Sequence, residues 1–183
     1  MPTLNSIKES SRAAVCENTM RQLLISSQLY SQEHDGYIVQ AMGNIVPSYP
    51  TGMGWQFALA PYRNAETQAP WTSLYCPSDT RPARPYKGDA KAVWGSYQIN
   101  TDVAGYSPYV DGNKAIGLSG LSSTILFMDA AARYENRVAF FWPPDTNSIS
   151  FRHNNKAIFG YVDGHVSAMA QTDIKKEDFL PKK

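Results

Sequence analysis

Cys16, Met20, Leu23, Ser27 and Tyr30 recur at steps of four and three, a narrow stripe that predicts an amphipathic helix. Nothing breaks a helix from Thr3 to His34, and Gly36 stands where one would end. Leu4, Ile7, Ala14 and Val15 are expected to extend the stripe backwards. Roughly 30 residues at 1.5 Å each give a rod of about 45 Å, longer than a domain of this size covers. The more polar N-terminal end is therefore expected to protrude. Ser6-x-x-Glu9 offers an alternative, later start as a capping box.

The pattern then loosens. Seven prolines (Pro47, Pro50, Pro61, Pro70, Pro77, Pro82 and Pro85) mark a loop-rich middle. Within it only Gly54 to Tyr62 reads as a short helix, with Trp55, Leu59 and Tyr62 inward. Arg81 to Lys91 has no periodicity and is expected to be an exposed loop. Val93 to Ile99 reads as a strand, and Asp102 to Gly120 as turn-rich, with Asp111-Gly112 a tight turn.

The last third has strand character. Thr124 to Met128 is an apolar run suited to a central strand, and Val138 to Trp142 a second, stopped by Pro143-Pro144. Ala157 to Val162 and His165 to Ala170 flank Asp163-Gly164, which predicts a type I′ hairpin. In that register Tyr161 faces Val166 and Phe159 faces Ala168 on an apolar side. Val162 and His165, with Gly160 and Ser167, make a more polar one. The sum is an α+β fold, a long N-terminal helix packed on an antiparallel β-sheet.

Composition narrows the function. Of 183 residues only 18% are charged, with 17 basic against 16 acidic. That balance leaves no electrostatic footprint for nucleic acid. No apolar run approaches the length of a membrane span, and no signal-peptide core is present. Cys16 and Cys76 are either two buried thiols or a disulfide, the latter contributing roughly 4 kcal/mol by chain entropy.

Catalytic motifs are scarce. Gly117-Leu-Ser119-Gly120 falls one residue short of a nucleophile elbow. Cys76 has only His34, His153 and His165 as base partners, a weak basis for a nucleophile. No cofactor motif occurs. One constellation could hold a transition metal: His153, Asp163 and His165, with Asp129 at the end of the Thr124–Met128 strand. The simpler reading, which we adopt, gives Asp163 to the turn and a backbone hydrogen bond to His153.

Taken in order, these pieces resemble a family. Ser11 to Tyr37, with Cys16, Asn18, Leu23, Tyr30 and the exit Glu33-His34-Asp35-Gly36-Tyr37, is similar to the helix of prepilin-type envelope proteins. Further marks follow: Trp55 to Tyr62, Cys76-Pro77-Ser78-Asp79, Ser96-Tyr97-Gln98-Ile99-Asn100, and Thr124 to Asp129. Last comes His153 with nine residues before Asp163-Gly164-His165, the H-x9-DG signature, a structural motif in this reading. Asn155 and Lys156 replace the family's Gly-Gly, which implies a looser turn there.

The resemblance implies a non-enzymatic pilin-like or pseudopilin-like subunit of a bacterial envelope fibre or type II secretion-like system. Residues 1–36 would be the helical spine and 37–183 the globular head. It also implies a prepilin peptidase site and about 20 apolar residues ahead of Met1 in the full-length precursor. That precursor would be anchored in the inner membrane, with its head in the periplasm or at the cell surface. Its partners would be other pilin-like subunits and assembly machinery, met through the helix around Ile7, Val15 and Met20. An oxidising compartment favours a Cys16–Cys76 disulfide. The alternative is a membrane-tethered glycan-binding module using Trp71, Tyr86, Trp94, Tyr106 and Tyr109.

Overall fold

The computed structural model describes residues 4–41, 54–63, 74–80, 85–86, 89–93, 95–105, 118–131 and 148–180. Helix α1 runs Leu4–Glu33, starting ahead of the Ser6-x-x-Glu9 box. Asp35 and Gly36 both take positive φ just past its end, at 51° and 83°. The Gly36 amide then reaches back to the Ser31 carbonyl at 2.8 Å, a six-to-one closure of the last turn.

The predicted stripe Cys16, Met20, Leu23, Ser27 and Tyr30 is buried, joined by Leu24 and Ser26. Its backward extension is not. Leu4, Ile7, Ala14 and Val15 are exposed on another side of the helix. Met20, expected to meet neighbouring subunits, is fully enclosed in the core. At 100° per residue Leu4, Ile7, Ala14 and Val15 lie roughly 100–180° round the helix from Cys16, so they continue a different row rather than the buried one.

After α1 come α2 (Trp55–Leu59) with a 3₁₀ turn at Pro61–Arg63, then a small hairpin of β1 (Pro85–Tyr86) and β2 (Asp89–Val93). Within the stretch expected to be a loop at 81–91, residues 85–86 and 89–91 are paired as strand, and the rest lies outside the described residues. The expected strand from Val93 starts later, as β3 (Tyr97–Ile99), and α3 (Thr101–Ala104) follows, capped by the Asn100 side chain on the Asp102 amide. The remaining strands are β4 (Ile125–Asp129), β5 (Lys156–Tyr161) and β6 (Val166–Ala170). β3, β4, β5 and β6 pair in that order, all antiparallel. The run Val138–Trp142 and the Asp111-Gly112 turn lie outside the described residues.

The β5–β6 register differs by one residue from the expected one: Gly160 pairs with Val166, Phe159 with Ser167 and Ile158 with Ala168. A type I′ turn needs positive φ at both central residues, and of Asp163 and Gly164 only Gly164 has it, at 99°. The loop instead takes three residues, with the Gly164 amide donating to Tyr161 O at 2.9 Å and the Tyr161 amide to His165 O at 3.0 Å. The tight turn sits one strand earlier. Asn154 and Asn155 both have positive φ, 50° and 62°, and His153 and Lys156 exchange two backbone bonds of 3.0 Å. The entry is tightly turned despite the Asn155-Lys156 departure, because asparagine tolerates the left-handed region.

The shifted register covers both sheet faces. One carries Ile158 and Val162, which pack with Met20, Leu23 and Leu24 of α1 and with Trp55, Leu59 and Phe127. The other carries Ala157, Phe159 and Tyr161, which pack with Ile125, Met128, Ile149 and Phe179. Phe179 belongs to a 3₁₀ turn (Lys176–Phe179) that folds back beneath the sheet. At Gly160 the helix packs tightly on the sheet: a Cβ there would stand 2.9 Å from Met20 Cγ and 3.0 Å from Leu24 Cδ1.

Candidate functional site

A polar cluster lies where α1, the Cys76–Asp79 turn and the entry to β5 meet. The helix supplies Glu9 and Cys16, seven residues apart and so two turns along one side. The tight turn at Asn154-Asn155 fixes His153 between them. Its Nδ1 lies 2.8 Å from Glu9 Oε1, and its Nε2 lies 3.4 Å from Cys76 Sγ and 3.5 Å from Asp129 Oδ2. The imidazole thus pairs with a carboxylate rather than with the backbone group expected for it. Cys16 and Cys76 are joined as a disulfide, with Cα atoms 5.6 Å apart.

A second layer holds the turn in place. Arg152 Nη1 reaches Asp79 Oδ2 at 2.6 Å, and its Nη2 donates to the Ala130 carbonyl. Ser96 Oγ donates to the same Asp79 oxygen at 2.7 Å while accepting the Cys76 amide at 2.9 Å. Ser78 Oγ donates to Glu9 Oε1 at 2.6 Å, which closes the ring between helix and turn. Gly95 makes this approach possible, because a Cβ there would stand 3.1 Å from Leu74 Cβ and 3.2 Å from Leu74 O.

The electrostatics divide the two carboxylates. Burial pushes the Glu9 carboxyl up, but hydrogen bonds from Ser78 and His153 outweigh it and leave the group below its usual range. Burial dominates at Asp129, whose carboxyl is pushed up to about 6 despite Arg152 and the Ile158 amide, which donates to Oδ2 at 2.8 Å. Asp129 Oδ1 is buried and among the few enclosed side-chain oxygens with no hydrogen-bond partner in the described residues.

The four residues read as a metal constellation do not come together. His153 and Asp129 meet at one end of β5, while Asp163 and His165 occupy the turn at its other end. There Asp163 Oδ1 lies 2.7 Å from His165 Nδ1 and accepts the His165 amide at 3.1 Å, which gives Asp163 the turn role expected of it. The group that does converge is Cys16, Cys76 and His153, with one ligand atom from each within 4.8 Å of the others. As a nucleophile Cys76 is out of play while it is bonded to Cys16. Trp71, Trp94, Tyr106 and Tyr109 lie outside the described residues, as does the side chain of Tyr86.

These features define an α+β fold whose long helix is tied by a disulfide and by the Glu9–His153 contact to the Cys76–Asp79 turn and the entry to β5. Comparison with family models, curated proteins and solved structures finds no match. Among the described residues no helix is long and apolar enough to cross a membrane.

Proposed function

We propose that the chain is a non-enzymatic, pilin-like or pseudopilin-like subunit that packs against other subunits through α1. The supporting observation is a second apolar row on that helix. Leu4, Ile7, Val15, Ile25 and Leu29 are 67, 54, 50, 55 and 40% exposed. At 100° per residue these five fall within an arc of about 80°, roughly opposite the core stripe, and run for about 37 Å. A helix with one apolar side against its own sheet and another facing outwards is suited to burial against a second helix. Ser11, Asn18 and Gln22 share the arc and dilute it, which suits packing that forms only when subunits are concentrated along an axis.

In this reading the head displays surface, and the Glu9–His153 and Cys16–Cys76 links fix the spine to it. An anchor ahead of Met1 would hold the subunit at a bacterial inner membrane until assembly. A photo-crosslinking amino acid at Ile7 or Val15, introduced into the full-length protein in its own cells, tests this. Adducts with pilin-like subunits are expected from both positions and not from exposed Lys156. Monomer alone at both helix positions would rule the assembly role out.

A further inference from the structure

The side chains around His153 are arranged for more than a static bridge. Its Nδ1 lies 2.8 Å from Glu9 Oε1, while its Nε2 faces the Cys76 sulfur at 3.4 Å and the Asp129 carboxyl at 3.5 Å. An imidazole, a sulfur and a carboxyl group converge there, and the second oxygen of Asp129 has no hydrogen-bond partner among the described residues. A cation completes such a set. We propose that, once the Cys16–Cys76 bond is reduced, Cys16, Cys76 and His153 bind a zinc-class transition metal, with the fourth position left to water and Glu9 orienting the imidazole.

The dimensions and the chemistry agree. A tetrahedral zinc site with bonds of about 2.3 Å to sulfur and 2.0–2.1 Å to nitrogen sets sulfur and nitrogen roughly 3.5 Å apart. Cys76 and His153 already stand at 3.4 Å. Without the covalent bond, the two sulfurs need part only to roughly 3.8 Å. Thiolate and imidazole are donors that select zinc over calcium or magnesium. Two thiolates neutralise a divalent ion, so a metal here does not leave an uncompensated buried charge. The Glu9–His153 pair is the carboxylate–histidine arrangement that fixes tautomer and ring orientation at metal sites.

The balance is simple. An external dithiol gives two electrons and two protons to the Cys16–Cys76 bond and leaves as its own disulfide. The metal then displaces both thiol protons. An oxidant that takes two electrons back from the thiolates re-forms the bond and releases the ion. The site is a redox-gated one, occupied only in the reduced protein, and it does not depend on the assembly role proposed above.

The test uses the whole chain, reduced with a phosphine in the absence of oxygen and titrated with cobalt(II) and then zinc. Cobalt should give a sulfur-to-metal charge-transfer band and tetrahedral visible bands at one ion per chain, and zinc should bleach them. Glu9→Gln should weaken zinc binding roughly 10–100-fold, Cys76→Ser should abolish the charge-transfer band, and His165→Ala should change nothing. Oxidation should release the metal. No sulfur band in the reduced chain, an unchanged band in Cys76→Ser, or a loss of circular dichroism on reduction that zinc does not reverse would each overturn the proposal.

Discussion

His153 Nδ1 and Glu9 Oε1 meet at 2.8 Å across 144 positions of sequence, joining the first third of α1 to the entry of β5. The imidazole is almost fully buried and the carboxylate is 18% exposed, so solvent screens the pair only weakly. Alanine at either position should destabilise the fold by about 1–3 kcal/mol, since each leaves a buried partner unsatisfied. In a double-mutant cycle the two losses should fall short of additive by about 0.5–3 kcal/mol. Urea denaturation of the four proteins checks this, and strict additivity would mean that the bridge contributes nothing.

Gly160 leaves no room for a side chain between helix and sheet. Gly160→Ala should cost about 1–3 kcal/mol by overpacking against Met20 and Leu24. Met20→Ala should be less damaging in the Gly160→Ala background than alone, because the added methyl fills part of the space it vacates. Midpoints of chemical denaturation give both numbers.

Arg152 and Asp79 form an ion pair whose side chains are 8 and 3% exposed. Removing one partner strands the other, so Arg152→Ala should cost about 3–5 kcal/mol. Arg152→Lys should recover only part of that, because lysine cannot bond Asp79, Ser150 and Ala130 together as the guanidinium does. Thermal melts of the three proteins at one pH decide it.

The Asp129 carboxyl, raised to about 6 in the folded chain from an ordinary value near 3.8, makes the folded state the stronger proton binder between those values. Its contribution is present in full below about pH 4 and is lost as pH rises through 6. The stability of wild type relative to Asp129→Asn should therefore fall between pH 4 and pH 7. Glu9, held low, acts in the opposite sense at more acidic pH, which is why the comparison with the single variant is needed. A pH-independent difference would show that Asp129 titrates normally.

The helix, the strand at Thr124 to Met128 and the existence of the closing hairpin were legible because their signals are local. A stripe from Cys16 to Tyr30 and an apolar β-branched run at Thr124 to Met128 need no knowledge of distant residues. The register of β5 and β6 was not, since Asp-Gly suits both a two-residue and a three-residue loop and only the packing against α1 and Phe179 selects between them. The Asn154-Asn155 pair carried an equally good turn signal and was the better match to paired positive φ. At the site, His153, Asp129 and the cysteines were visible as chemistry-bearing residues, but Glu9 read as a helix cap. Its seven-residue spacing from Cys16 was the available clue. Asp79 and Arg152 gave none, because an ion pair between loop residues 73 apart leaves no periodic trace.

The Cys16–Cys76 bond has a mechanical consequence. Any pull along α1 from its N-terminal end is met at Glu9 and then at Cys16, before it reaches the apolar seam at Met20 and beyond. The covalent bond diverts tension sideways into the Cys76–Asp79 turn, and from there Ser96 and Arg152 spread it across β3, the end of β4 and the entry to β5. Under force the helix would peel only as far as Cys16, and the hydrophobic contacts behind that point would go unstretched.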